Sequence, residues 1–229
     1  MIFKTSILAT AAACLALLAV SPSAEAHSGL SKPCPRYGSF KGCPAPPKGQ
    51  SVDYNINSPI GVHGRKDQPL CKHTVRATSA PTYNAGQTIK TEYSVGASHG
   101  GGHCQWALSY DNGKTWIVIK TVIRDCLRGA KGGAPYSVNV QIPKNAPSGN
   151  RVIFQWLWNN AIGNRELYSN CADIKIKGKN GGQLKGVAPL IANYGKSVLI
   201  PEFPNPKDKD GREHFAKRKS VTINVPKIK

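Results

Sequence analysis

The chain is poor in acidic residues: 12 Asp and Glu stand against 31 Lys and Arg in 229 residues, a formal net charge of +19. Hydrolysis of a glycosidic bond by paired carboxylates needs two acids set across that bond, and no such pair stands out. No Cys-x-x-Cys pair occurs, which removes the usual cysteine zinc site. Beyond the N-terminal segment no apolar run approaches the ~20 residues that cross a bilayer, so no membrane partner is expected. No stretch has the period of a good amphipathic helix, which turns the fold class toward strands. Flavin and haem motifs are missing too, so redox work would draw on an external electron donor. Asn-x-Ser/Thr acceptor sites are not evident, since Asn57-Ser58-Pro59 and its neighbours fail the spacing.

What is present begins with a secretion signal expected over 1–26. Lys4 sits in a short front, an apolar run follows from Ile7 to Val20, and Ala24-x-Ala26 is a small-residue cleavage site. Cleavage after Ala26 leaves 203 of the 229 residues, enough for one β domain with a real core. His27 then becomes the first residue of a secreted, extracellular chain. Its α-amine, with a reference pKa of about 7.7–8.0, deprotonates at modest cost. Amine and Nδ1 of one histidine can close a chelate ring on a metal, and one more imidazole would complete the planar nitrogen set that copper(II) favours. The alternative is that His27 is merely the residue that follows the cut.

The signal segment holds one Lys and one Glu, so the charge of +19 survives its removal. Such a field gathers polyanions and is sensitive to salt. Secreted chains with disulfides rarely meet nucleic acid, so none is expected as a partner. Acidic polysaccharide or an anionic cell surface suits the charge better, and a solvated basic face is the plainer alternative. Cys14 leaves with the signal, and Cys34, Cys43, Cys71, Cys104, Cys126 and Cys171 remain. Six cysteines in a secreted chain read as three disulfides with 15 possible pairings.

From His27 to about Arg76 the chain is rich in Pro, Gly and Cys without sustained periodicity. It reads as a long irregular surface segment, since Pro35, Pro44, Pro46 and Pro47 exclude a helix and disfavour a central strand. Within it Tyr37 and Phe40 are candidate sugar-stacking aromatics, or else anchors of a loop that lacks a core. Strand patterns then follow over 88–95, 104–110, 115–123, 136–142, 151–158 and 172–176, with Asp111-Asn112-Gly113 as a turn signal. The stretch 151–158 is apolar on both faces and should be central. Six or seven short strands predict an all-β, immunoglobulin/fibronectin-III-like antiparallel β-sandwich with long disulfide-stapled loops. Past Gly178 the composition turns basic, with 13 basic and 4 acidic residues over 175–229. Short strands at 198–203 and 221–225 suggest an extension that packs back on the sandwich; a disordered tail is the alternative.

His99 lies in Ser98-His99-Gly-Gly-Gly-His103, a glycine-rich turn between two expected strands. Three glycines strip side-chain cover and let a large partner approach. The His-x-x-x-His spacing of helical zinc proteases fails here, because the glycines forbid the helix and the glutamate is missing. His103 is either an exposed residue and a candidate for substrate contact, or a group that tunes the site. His63, His73 and His214 belong to no motif and read as ordinary surface histidines. Beyond the central strand, Gly163-Asn-Arg-Glu166-Leu-Tyr168-Ser-Asn-Cys171 is polar, aromatic and held by a cysteine.

Taken together, His27, the run Gly96 to Trp116, Phe154 to Trp158 and Gly163 to Ala172 resemble the lytic polysaccharide monooxygenases. The likeness is to the chitin-active fungal group and to its relatives, including the pectin-active auxiliary activity family 17. It covers about 86–176 well and 27–71 loosely. The resemblance implies one mononuclear copper ion held by the amine and Nδ1 of His27 and by His99, with Tyr168 axial and Glu166 beside the open face. It implies the disulfides Cys34–Cys43, Cys71–Cys171 and Cys104–Cys126. It also implies oxidative attack at C1 or C4 of a sugar by a monomer, with residues 27–178 as the copper domain and 179–229 as the basic extension. Chitin carries no charge, so the charge of +19 points to pectin, homogalacturonan first, with chitin or cellulose second. A secreted copper-binding protein without oxygenase activity and a non-catalytic polysaccharide-binding module are the rival classes.

Overall fold

The computed structural model describes residues 27–227, so the secretion signal expected over 1–26 lies outside the described residues. The described elements, in chain order, are β1 (Ser28–Lys32), β2 (Gly61–Val62), β3 (Arg65–Lys66), β4 (Thr82–Asn84), β5 (Thr88–Val95), β6 (Gly102–Ser109), β7 (Ile117–Val122), β8 (Tyr136–Gln141), β9 (Gly149–Asn160), β10 (Glu166–Lys177), β11 (Gly182–Val187), α1 (Arg212–Ala216) and β12 (Ser220–Val225). One layer is the antiparallel sheet β1-β5-β8. The other runs β3-β2-β10-β9-β6-β7, with β4 alongside the 175–177 end of β10. The chain is therefore the all-β antiparallel sandwich that its alternation predicts.

β5 shows the cause. Ile89, Thr91, Tyr93 and Val95 point inward and are buried, while Lys90, Glu92 and Ser94 between them face out. Inward residues of both layers meet in one core that includes Leu30, Tyr93, Trp106, Phe154, Trp156, Trp158 and Tyr168. Along β9 and β10, however, both faces are buried. The second face is covered by three smaller apolar groups. Ile60 sits on Leu157 and Leu167, Trp116 and Cys171 flank Ala107 and Ile153, and Ile200, Phe203 and Phe215 pack near Ala161. Long loops and the C-terminal segment thus close a second face on which Ile153, Leu157 and Leu167 alternate with or adjoin buried polar residues such as Gln105, Gln155, Asn159 and Ser169.

Several expectations are corrected. The segment 27–76 is not irregular throughout, because β1 pairs with β5 from Ser28↔Val95 to Lys32↔Glu92. With Leu30 as its single large apolar residue and Pro33 close behind, β1 is too short for alternation to show. The stretch 198–203 forms no strand. Pro201 and Pro204 cannot donate to a ladder, and Ile200 and Phe203 serve instead as buried plugs. The strand expected over 172–176 extends back through most of the motif at 163–171, which forms the first half of β10. In the C-terminal segment β11 and β12 pair with each other, and Leu184 and Ile223 reach the main core.

Three disulfides tie the loops down: Cys34–Cys43, Cys71–Cys171 and Cys104–Cys126. Cys71–Cys171 spans 100 residues, a closure worth on the order of 4–5 kcal/mol in the chain-entropy account. Beside it Asp173 is enclosed by cations. Arg36 binds it in bidentate fashion through Nε at 2.9 Å and Nη2 at 2.7 Å, Arg76 Nη1 reaches it at 2.7 Å, and the Ala77 N–H donates at 2.8 Å. With the Arg36 and Asp173 side chains 2 % and 4 % exposed, removal of the carboxylate charge strands a buried guanidinium. Asp173→Asn should cost about 3–5 kcal/mol of stability in chemical denaturation, far more than the ~0–1 kcal/mol of a surface pair.

Candidate metal centre

The site forms where the β1–β5 pair runs out. The Gly96 N–H donates to the His27 carbonyl at 2.9 Å, and Ser28 Oγ donates to the Ala97 carbonyl at 2.9 Å. The start of the described chain is thereby held against the turn that carries His99. That turn closes through a Gly101 N–H to Ser98 carbonyl bond of 2.8 Å and holds His99 at φ 46°. Gly102 follows at φ 150°, and a Cβ there would stand 2.2 Å from the Asn159 carbonyl oxygen and 2.5 Å from Trp158 Nε1. Glycine is demanded at 102 by contact with the sheet below as much as by backbone angle.

Ile162 grips His99 from both sides. Its N–H donates to the His99 carbonyl at 3.0 Å, and its own carbonyl lies 3.0 Å from His99 Nδ1. A carbonyl can only accept, so the hydrogen sits on Nδ1 and the ring's lone pair belongs to Nε2. The loop that carries Ile162 is in turn fixed. Asn160 Nδ2 donates to the Ile162 and Asn164 carbonyls, Arg165 donates to the carbonyls of Asn160, Gly163 and Pro201, and the Glu202 carboxylate takes the Gly163 N–H. The Phe203 N–H donates to the Ala161 carbonyl at 3.0 Å. The C-terminal segment therefore supports the loop that orients His99.

Tyr168, on β10 from the larger sheet, forms the floor. The rings of His27 and His99 each lie 6.3 Å from its ring, and Trp158 lies 4.6 Å from it. The Tyr168 hydroxyl donates to Glu166 Oε2 at 2.8 Å. Burial first, then the Glu166 charge, push the Tyr168 phenol well above its ordinary range, so it stays neutral. Among the described residues no three His, Cys, Asp or Glu side chains gather as a metal cluster. A metal here needs a donor of another type, and the amine of a chain beginning at His27 is one. Two imidazoles, that amine and a neutral phenol make a nitrogen-rich set that suits copper.

The remaining candidates fall elsewhere. Tyr37 is not an exposed platform; it is 5 % exposed, with its ring 4.3 Å from that of His73. Phe40 is half-buried in the same cystine loop. His103 is not at the surface, being 1 % exposed and set between Phe203 and Phe215. Its Nε2–H donates to the Asp210 carbonyl at 2.7 Å, while Nδ1 accepts the Arg124 N–H at 3.0 Å. His63 is exposed, His73 pairs with Asp53 at 2.7 Å, and His214 lies 3.5 Å from Glu213. Sequence reasoning missed Tyr54, 79 % exposed in a turn whose Asn57 lines a cleft beside His27. Its one signal is an aromatic set among polar turn residues, Asp53-Tyr54-Asn55.

No protein-family model matches the chain. Among curated proteins it is similar to AA11 family lytic polysaccharide monooxygenase A of Aspergillus fumigatus, at 37% identity over 188 residues, covering 78% of this chain and 80% of that protein. An AA11 family lytic polysaccharide monooxygenase of Aspergillus oryzae is 32% identical over 179 residues, covering 72% and 39%. A second A. fumigatus protein, AA11 family lytic polysaccharide monooxygenase B, is 31% identical over 164 residues, covering 65% and 38%. The chain thus spans four fifths of the first relative's length and under two fifths of the other two. Among solved structures, an AA10 lytic polysaccharide monooxygenase from Streptomyces lividans gives a TM-score of 0.47 at 17% identity, over 65% of this chain and 99% of that one.

His103 makes a pH test. Burial lowers its pKa below the ordinary ~6.5, and Asp210, Arg124 and Arg212 are the charges around it. An unfolded chain takes up a proton near ~6.5 that the folded chain refuses, so stability present above that pH is lost as pH falls toward the lowered value. Thermal unfolding between pH 7.5 and 5 should show a shallower loss for His103→Gln than for wild type. Gln keeps a donor and an acceptor but cannot titrate. Equal slopes would remove His103 from the account.

Proposed function

The chain belongs to the AA11 family of lytic polysaccharide monooxygenases, and from that premise we propose that it is secreted as a protein beginning at His27 and cleaves chitin oxidatively with one copper ion. As a family member it is a copper oxidoreductase. The observation that carries the residue assignment is the pairing of β1 with β5. It lays His27 beside the turn of His99, over the ring of Tyr168.

His27, through amine and Nδ1, and His99, through Nε2, would hold the copper. Bound there, copper supplies one-electron chemistry that turns oxygen or peroxide against a sugar C–H bond. The protein's own residues do the rest. Ile162 fixes the ring of His99 and the position of its hydrogen. Tyr168 approaches as a neutral phenol because Glu166 takes its hydrogen bond and burial opposes ionisation. It therefore adds no negative charge beneath the metal. Of the glycines at 100–102 only Gly100 is exposed, and it leaves the turn next to His99 without a side chain of its own there. Tyr54, in the turn whose Asn57 lines the cleft with His27, offers an exposed ring for a sugar to stack on. The three disulfides suit passage through an oxidising secretory route.

Pectin, the first expectation, is corrected by the family, which is AA11 rather than 17. The charge argument also fails on position. Lys177 lies nine residues along β10 from Tyr168, roughly 30 Å at ~3.3 Å per residue, with Lys175, Lys179 and Arg151 at the same distant end. That part of the positive surplus does not meet a polymer lying over His27. Chitin, the substrate of the fungal group that the sequence resembles, needs no charge.

Incubated with ascorbate and β-chitin, the protein beginning at His27 should release oxidised chito-oligosaccharides seen by mass spectrometry. Chelation should abolish them and added copper restore them, and one extra residue before His27 should abolish them as well. Oxidised galacturonides, with none from chitin, would overturn the substrate choice. Tyr54→Ala should weaken binding to chitin several-fold, in line with the ~0.5–1.5 kcal/mol of a stacked ring, while copper affinity stays unchanged by calorimetry.

A further inference from the structure

Lys72 carries its charge in a place that the copper reading leaves unexplained. Its side chain is 4 % exposed and lies between the loop 69–73 and the turn 53–58. The backbone at Lys72 is left-handed, with φ 60°, a conformation that favours glycine over lysine. It is held there by the Lys72 N–H, which donates to the Pro69 carbonyl at 2.7 Å, and by the neighbouring bridge from Cys71 to Cys171 on β10. Taking an ammonium out of water costs stability unless each of its hydrogens finds an acceptor. An apolar side chain of the same length would fill the space without that cost. Plain packing therefore does not call for a lysine here.

Three acceptors meet Lys72 Nζ, one for each of its hydrogens. They are the Asn55 carbonyl, the Ser58 carbonyl at 3.1 Å and Ser58 Oγ at 2.6 Å. Ser58 Oγ gives its own hydrogen to the Asn55 carbonyl at 2.8 Å, so toward Nζ it can only accept. All three acceptors belong to the turn that carries Tyr54, 79 % exposed. One side of that turn is tied to the strand pair that places His27. Asn57 Nδ2 donates to Ser94 Oγ at 3.0 Å, and Asn170 Nδ2 donates to the Ile56 carbonyl at 3.0 Å while Asn170 Oδ1 accepts the Leu30 N–H at 2.8 Å. The other side, at Asn55 and Ser58, is fastened to the loop 69–73 through Lys72.

We infer that Lys72 is a positioning residue for the polysaccharide, an ammonium clamp that fixes the turn of Tyr54 before a chain arrives. The inference rests on the reading of Tyr54 as a stacking ring given above. A ring on a turn already ordered binds without first losing backbone freedom, so the clamp acts on affinity for the polymer and leaves the metal site alone. The clamp needs all three hydrogens. A neutral amine has two, which leaves one acceptor of the turn unmet. Burial draws the Lys72 pKa down to about 8, against the opposite pull of Asp53 at 3.8 Å. Beyond Asp53 lie His73, 2.7 Å from the same carboxylate, and the Tyr37 phenol, which burial holds above its ordinary value. The clamp is therefore set in neutral solution and slackens as pH rises through about 8. Stability runs the other way. The unfolded lysine, with a pKa of about 10.4, keeps a proton that the folded one gives up, so between the two values rising pH favours the folded state.

The test measures binding of copper-loaded protein beginning at His27 to β-chitin, without reductant, at about pH 6.5 and about pH 9.5. Wild type should bind several-fold more weakly at the higher pH. A lysine that served folding alone would let binding follow stability, which it raises over that range. Lys72→Met should bind several-fold more weakly than wild type at the lower pH and lose the pH dependence, with copper affinity unchanged by calorimetry. Ser58→Ala removes one acceptor and keeps the lysine; it should fall between the two, and it carries the test should Lys72→Met fail to fold. In a Tyr54→Ala background Lys72→Met should add no further loss, because the clamp acts through that ring. Wild-type binding that holds or rises with pH, or an equal loss from Lys72→Met with and without Tyr54, would overturn the clamp and leave the stacking reading intact. Chitin binding that Tyr54→Ala leaves unchanged would overturn both.

Discussion

The antiparallel contact between Ser28 and Val95 decides where the first described residue lies, and the site depends on it. One strand begins and the other ends at the same level. The Gly96 N–H is then free to take the His27 carbonyl, and the chain that leaves β5 turns at once into His99. Two histidines 72 positions apart thus come from adjoining ends of a single strand pair. No cavity is built for them. Their floor is the opposite layer, where β10 presents Tyr168 and β9 presents Trp158 behind it. The relative placement of the two sheets is set by interlocking of Leu30, Tyr93, Trp156 and Trp158, so the core also maintains the site.

Distance from the rings of His27 and His99 does not make a residue irrelevant to them. His103 and Arg124 hold the segment around Asp210, Phe203 packs on His103, and the Phe203 backbone reaches the Ala161 carbonyl. Ala161 adjoins Ile162, whose carbonyl sets the ring of His99. A histidine four residues from His99 in sequence therefore acts on it through a segment a hundred residues further on. The outer face of the larger sheet makes this arrangement necessary, since its apolar residues need a cover and the C-terminal segment provides part of it.

Much of the sandwich was legible because β5, β6, β8 and β9 carry their instructions locally, as alternation or as unbroken apolar runs. The histidines were legible for a different reason, a cleavage site and a glycine turn that leave few other roles. What stayed hidden depends on contacts between remote segments. β1 has one large apolar residue and is a strand only because β5 accepts it. Tyr37 and His103 look like surface residues until Asp53, His73, Phe203 and Phe215 fold over them. The net charge misled because a sum over residues has no location, and part of it sits at the far end of β10.

The cystines differ in a way that bears on the life of the protein outside the cell. Cys104, Cys126 and Cys171 are at most 1 % exposed, while Cys34 and Cys43 lie half-open in a proline-rich loop. As the secreted oxygenase proposed above, the protein would work among the reducing compounds that supply its electrons. Thiols in that mixture would meet the small loop bridge first, and its opening frees the loop 34–43 rather than the sandwich. Cys104–Cys126 is enclosed at both of its residues and Cys71–Cys171 at Cys171, so the bridges that fasten loops to the larger sheet are less open to such reagents than the bridge of the small loop.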